Sequence, residues 1–203
     1  DSDKVEELCE IKLSKLESPT VAALVQLGEL RRLAAKGKLN LCIEWIRNFL
    51  EGDKKLVVMA IHKDIVDALM QAFPKISVKI DGRVPVNKRH TIVQEFQTNK
   101  KIRLFVGNIK AAGEGITLTA ASDILILEWP WSPGLVDQAV DRIHRWTQKF
   151  PVTVYQPIAI DTIEEKLLRI IETKRRVLAS VLDGKEAHVT SMLSDILKEY
   201  SII

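Results

Sequence analysis

The chain predicts an α/β domain, a parallel sheet covered by helices on both faces, with helical additions at its two ends. Two observations carry this. Five short runs, Leu56–Ile61, Ile76–Ile80, Arg103–Val106, Ile124–Leu127 and Val152–Gln156, are separated by helix-forming stretches. They are largely apolar instead of alternating, the pattern of strands buried on both sides.

The elements follow in order. Residues 1–50 read as helical. Within 39–50, Leu39, Cys42, Ile43, Ile46, Phe49 and Leu50 recur at three- and four-residue intervals, an amphipathic helix ended by Gly52. Cys42 lies on that apolar side, as a core residue and not a reactive thiol. The run LVVMAI at 56–61 is a buried strand, and the helix after it, about 64–73, stops at Pro74. Pro85 suits the first turn of a helix that turns Ile92, Val93 and Phe96 inward. A long helix from Thr162 to about Leu182 has Ile163, Leu167, Ile170, Ile171 and Val177 on its apolar side. A last helix at 188–199 reads as peripheral. The expected organisation is a helical lead-in at 1–38, the α/β domain at 39–160 and C-terminal helices at 161–203.

Bulk properties narrow the class. The 203 residues are 46% hydrophobic and 28% charged, with a net charge of +3 and a pI near 8.8. A mildly basic balance permits a polyanionic partner without requiring one. Cys9 and Cys42 are far apart and in no metal-type spacing. A reduced, intracellular compartment therefore fits better than a disulfide framework. No apolar run approaches the roughly 18–20 residues of a membrane span. Asp1-Ser2-Asp3 opens no signal peptide. The start runs straight into a charged helical stretch, as in a piece cut from a longer chain.

Two segments follow strands and so fall where ligands gather in open parallel sheets, beyond the carboxyl ends. The first is NIKAAGEGITLTAA at 108–121. Its Gly113 and Gly115 let backbone approach a ligand, and the amides and hydroxyls around Thr117 and Thr119 suit phosphate. A plain turn is the competing reading. The second is DQAVDRIHRWTQ at 137–148. As a helix it places Gln138, Arg142 and Arg145 within about 60° of one another, away from Val136, Ala139, Val140 and Ile143. Two guanidinium groups on a rigid support suit phosphate charge. The competing reading is a solvated charged face.

Together these segments resemble motifs V and VI of the Swi/Snf-type ATPases, within superfamily-two helicases. KLVVMAIHKDIVDAL (55–69) resembles motif IV, and IDGRVPVNKRHTIVQEFQ (80–97) resembles the "DG…R…I..F" segment. DTIEEKLLRIIETKR (161–175) is similar to the helix that follows motif VI in this family. The resemblance covers about residues 30–180 and is nearest to the HARP-like annealing-helicase branch. It implies a RecA-like fold and the second lobe alone. No GxxxxGK[ST] loop is present to cradle phosphates, and no Asp-Glu pair follows an apolar strand to hold magnesium. In the family those parts belong to the N-terminal RecA-like lobe, which would bind most of the ATP and Mg2+.

The resemblance also implies roles. Arg142 and Arg145 become arginine-finger candidates for the γ-phosphate, with Gln138 orienting them. Gly113, Glu114 and Gly115 join the two arginines in touching nucleotide. Gly82, Arg83, Arg89, Lys110 and Thr117, with the same glycines, become contacts to duplex DNA phosphates, which give register without reading sequence. Arg89 could equally be structural, and Lys88 a solvated side chain. Glu128 is expected to be structural, His62 a polar cap, and His144 off the finger face. Trp129, Trp131 and Trp146 are expected to pack among apolar neighbours; stacking on bases or nucleotide is the alternative. The chain departs from the family at Asn108-Ile109, at Trp131-Ser132-Pro133 and at Trp146-Thr147-Gln148, where Ile-Gly-Gln is usual. Loss of that glycine would alter how the turn presents Arg145. The expected function is the second motor lobe of a DNA-dependent ATPase that translocates on or remodels duplex DNA, intracellular and not membrane-bound. Alternatives are a lobe of a strand-separating helicase or a non-enzymatic nucleic-acid-binding module.

Overall fold

The computed structural model describes residues 19–112, 115–130, 132–169 and 171–172. They form α1 (Pro19–Phe49), β1 (Leu56–Ala60), α2 (Lys63–Ala72), β2 (Ser77–Ile80) and α3 (Val86–Thr98). Then come β3 (Leu104–Asn108), β4 (Asp123–Ile126), α4 (Pro133–Val140) and β5 (Thr153–Tyr155). The five strands are those the apolar runs predict, within one or two residues at each end. All neighbours are parallel, in the order β2-β3-β1-β4-β5.

Alternation along β1, β3 and β4 feeds two cores, whereas β5, expected to be buried on both sides, exposes Thr153 and Val154. Val57 and Met59 of β1, Phe105 of β3 and Ile124 and Ile126 of β4 face α3, α4 and the 109–121 segment. Leu56, Val58 and Ala60, Leu104 and Val106, and Leu125 face α1 and α2 instead. A strand buried on both sides has no polar alternate, which is why these runs read as continuously apolar. Gly107 in β3 is required by packing. A Cβ there would stand 2.7 Å from the Met59 sulfur and 3.0 Å from the Ala112 methyl.

The chain forms two compact units, residues 35–160 and residues 1–34 with 161–203. The first holds the sheet, with Cys42 buried in its core as expected. In the second, residues 163–169 and 171–172 are helical, with Ile163, Leu167 and Ile171 buried. The expected helix over residues 1–18, Ile170, Val177 and the 188–199 helix lie outside the described residues. Where residues 39–50 suggested a separate helix, α1 runs unbroken from Pro19 to Phe49. Among the described residues no helix is long and apolar enough to cross a membrane.

Candidate nucleotide and nucleic-acid site

The expected helix over 137–148 is corrected by the structure. α4 begins with Pro133 in its first turn and ends at Val140. Beyond it the bonds tighten: the Arg142 and Ile143 amides donate to the carbonyls three residues back, at 3.3 and 2.9 Å. The Arg142 carbonyl accepts from Leu118 N at 2.8 Å. A helix end whose carbonyl is captured by another segment has no reason to continue. Gln138 is exposed on α4, Arg142 is half-buried in the turn, and Arg145 is exposed three residues further on. Gln138 thus lies in α4, whereas Arg142 and Arg145 lie in the turns beyond it.

Their position also differs from the expected carboxyl-end crevice. α4 starts beyond the carboxyl end of β4 and runs back beside the sheet. Residues 143–148 end beside Thr119 and Ala121, which precede the amino end of β4. The 109–121 segment makes the same crossing without a helix. It buries Ile109, Ala112, Ile116, Leu118 and Ala121 and exposes Lys110, Gly115 and Thr117. The two segments therefore meet along one flank of the domain. Gly115 has φ +70°, a conformation that glycine adopts without Cβ strain. Gly113 and Glu114 lie outside the described residues.

Gln148, given no role by its sequence context, fastens this flank. Its Nε2 donates to Ala121 O at 2.8 Å and to Thr119 O and Ile143 O at 3.3 Å. Its Oε1 accepts from Lys149 N and Phe150 N at 3.0 and 3.1 Å. The turn at 145–148 closes through Gln148 N and Arg145 O at 2.8 Å. Among the described non-glycine residues only Asp161 has a positive φ. Trp146 and Thr147 thus fill the places of the family's usual glycine and its neighbour without backbone strain. Trp146 is 95% exposed, against the expected packing, while Trp129 is buried as expected. Trp131 lies outside the described residues.

Around α3 the candidates separate. Arg89 donates to Val84 O and Ala111 O at 3.2 and 3.0 Å, tying α3 to the 109–121 segment. That is a structural duty. Lys88 and Gly82 are exposed. Arg89, His90, Gln94, Gln97, Gly115 and Thr117 border a hollow of about 560 Å³. Asn108 anchors the start of the segment, its Nδ2 donating to Ile61 O at 2.6 Å and its Oδ1 accepting from Lys110 N and Ala111 N.

Arg83, expected among the DNA contacts, is held elsewhere. Its Nη1 and Nη2 meet Asp67 at 2.8 and 2.6 Å, and its Nε meets Asp81 at 3.0 Å. Lys79 adds a 2.8 Å pair to Asp67. The Arg83 guanidinium, foremost, holds Asp67 and Asp81 below the usual carboxylate range, and the carboxylates raise Arg83 in return. Gly82 and Arg83 follow β2, three strand spacings from β4, or ~14 Å. The structure does not bring them to the flank that holds Arg145.

Glu128 is structural, as expected. It accepts from Ile61 N at 2.6 Å, from His62 N at 2.9 Å and from the His62 ring at Nδ1. Burial alone would raise its pKa; the hydrogen bonds from the His62 ring and from both amides outweigh burial and hold it down. His62 precedes α2 but makes no side-chain cap, because its ring is engaged by Glu128. His144 is exposed. Among the described residues no group of three or more His, Cys, Asp or Glu could hold a metal ion.

Comparison with known proteins fits this arrangement. The helicase conserved C-terminal domain family matches residues 37–147. The mouse DNA annealing helicase and endonuclease ZRANB3 is 32% identical over 156 residues, which cover 75% of this chain and 15% of that protein. A Caenorhabditis elegans homolog of SWI/SNF-related matrix-associated actin-dependent regulator of chromatin subfamily A-like protein 1 is 36% identical over 146 residues, 69% of this chain and 21% of that protein. An uncharacterized ATP-dependent helicase of Mycoplasma genitalium is 30% identical over 165 residues, 80% of this chain and 16% of that protein. The chain thus spans about a sixth to a fifth of these relatives' lengths. The crystal structure of the C-terminal part of the Fun30 ATPase domain superposes with TM-score 0.61 at 22% identity, covering 75% of this chain and 55% of that one. That likeness shows the RecA-like fold. The chain belongs to the helicase conserved C-terminal domain family, as a Swi/Snf-type superfamily-two C-terminal lobe.

Proposed function

We propose that this chain is the second motor lobe of a DNA-dependent ATPase that couples ATP hydrolysis to movement on, or remodelling of, duplex DNA inside the cell. The names of its relatives favour the annealing-helicase branch. The lobe proper spans 39–160, with C-terminal helices at 161–203. The observation that carries the reading is Arg145: exposed, with no carboxylate partner among the described residues, on a turn fixed by Gln148.

The N-terminal RecA-like lobe of the same parent would hold ATP and Mg2+, and closure would bring Arg145 to the γ-phosphate. There the guanidinium stabilises charge on the transferring group, and the half-buried Arg142 and exposed Gln138 support it. Gly113, Glu114 and Gly115 would line the nucleotide side of the closed cleft. Lys110, Thr117 and Gly82 would meet DNA phosphates through a side-chain ammonium, a hydroxyl and backbone. Arg83 and Arg89 are proposed only as supports of that face, since their guanidinium groups are engaged within the lobe.

The test is steady-state ATP hydrolysis by the intact parent, with and without duplex DNA, for the wild type and Arg145→Ala. The expected loss is about 10³-fold or more in DNA-stimulated turnover, the scale of an arginine finger. Unchanged turnover in a folded variant would falsify the assignment.

A further inference from the structure

Trp146 is the most exposed large hydrophobic side chain among the described residues, at 95%, and Phe150 beside it in sequence is 68% exposed. An indole in water is costly unless something covers it. Backbone need does not explain it, because the turn tolerates any L-residue at this position. His144, Arg145 and Lys149 are exposed in the same ten residues, 141–150, where three Lys/Arg cations stand against the single carboxylate of Asp141. Lys149 and Phe150 also border a groove of about 830 Å³ with Lys54, Thr147 and Gln148. Gln148 fastens the turn to the segment that precedes β4, so the aromatic and the cations are presented on a firm support.

An exposed flat aromatic with cations one and three residues away in sequence suits a nucleobase carrying phosphate: the ring stacks and the phosphate pairs. A protein partner would be served equally well by an uncharged rim, and nothing else in this turn would select for phosphate. We infer that Trp146 is a stacking platform for a nucleobase whose phosphate meets Arg145 or Lys149. The base has two sources, the adenine of a nucleotide or an unpaired base of DNA. The inference stands on exposure and charge, and it does not require Arg145 to act as a finger.

The test is tryptophan fluorescence of the 203-residue chain titrated separately with ATP-Mg2+, single-stranded oligo-dT and inorganic tripolyphosphate. Quenching by ATP-Mg2+ identifies adenine as the base, and quenching by oligo-dT identifies unpaired DNA; either supports the platform. Trp146→Ala should abolish that quench and weaken binding roughly five- to a hundred-fold, the range of base–aromatic stacking. Trp146→Phe should keep most of the affinity, and circular dichroism should show both variants folded. The inference is overturned if neither base-bearing probe gives a saturable quench, or if Trp146→Ala binds as the wild type does. Where ATP-Mg2+ is the quenching ligand, it is overturned equally if tripolyphosphate binds as tightly. Failure here leaves the Arg145 assignment standing, because that rests on hydrolysis by the parent.

Discussion

Arg83 and Arg145 both lie in segments that resemble helicase motifs, yet their surroundings are opposite. Arg83 is divided between Asp67 and Asp81, with Lys79 closing the cluster. Arg145 meets no carboxylate among the described residues, and its turn is held by an uncharged amide, Gln148. A guanidinium already forked onto two carboxylates must give up those bonds before it can take a phosphate, whereas an open one loses only water. The difference teaches that availability, and not residue type, decides which arginine is open to an incoming phosphate.

The largest expected effect tests that difference directly. In the intact parent, Arg145→Ala should remove about 10³-fold of DNA-stimulated turnover, and Arg83→Ala only a small fraction of that. Equal losses, read by steady-state hydrolysis, would break the contrast.

Next in size is the support. Gln148→Ala removes donors to three carbonyls and an acceptor for two amides. It should cost about 1–3 kcal/mol by denaturant unfolding, and turnover should fall with it. A stable variant with full turnover would show that Arg145 does not need this anchor.

Gly115→Ala sharpens the role of the crossing segment. Nothing lies within 4 Å of a Cβ there, so only the φ of +70° is penalised, by about 1–2 kcal/mol. A loss well beyond that in chemical denaturation would mean that the segment is packed more tightly than its exposure implies.

The smallest effect depends on pH and fades in acid. Asp67 and Asp81 are held below the ordinary carboxylate range, so their contribution is fully present above that range and lost as pH falls through the depressed values. Arg83→Ala should lower stability at neutral pH, where that contribution is fully present, and so move the acid-unfolding midpoint upward, with the loss shrinking as pH falls below the usual carboxylate region near about 4. Arg145→Ala should not move the midpoint at all. If both variants move it alike, Arg145 has a carboxylate partner after all.

Much of the lobe was legible because its signals are local. The strand runs were read correctly since burial on two faces leaves no polar alternate, as Leu56–Ala60 shows. Cys42 and Trp129 were placed in the core by their neighbours. Other readings failed where a local pattern met a distant partner. The apolar spacing of Val136, Ala139 and Ile143 persisted into the core, so residues 137–148 read as one helix although the backbone leaves the helix after Val140. His62 looked like a cap because nothing in sequence announces that Glu128, 66 residues away, takes its ring.

The sequence by itself determined the parallel sheet, its double cover and the membership in a helicase lobe, since periodicity, apolar runs and motif order are properties of the chain. Only the tertiary structure decided which arginine stays open, where α4 ends and that Trp146 faces water. Each of these depends on a competition for hydrogen bonds between segments far apart in sequence: Asp67 for Arg83, Leu118 for the Arg142 carbonyl, Gln148 for Thr119 and Ala121. Buried polar groups must be satisfied by whatever folding brings near, and no spacing along the chain states what that will be.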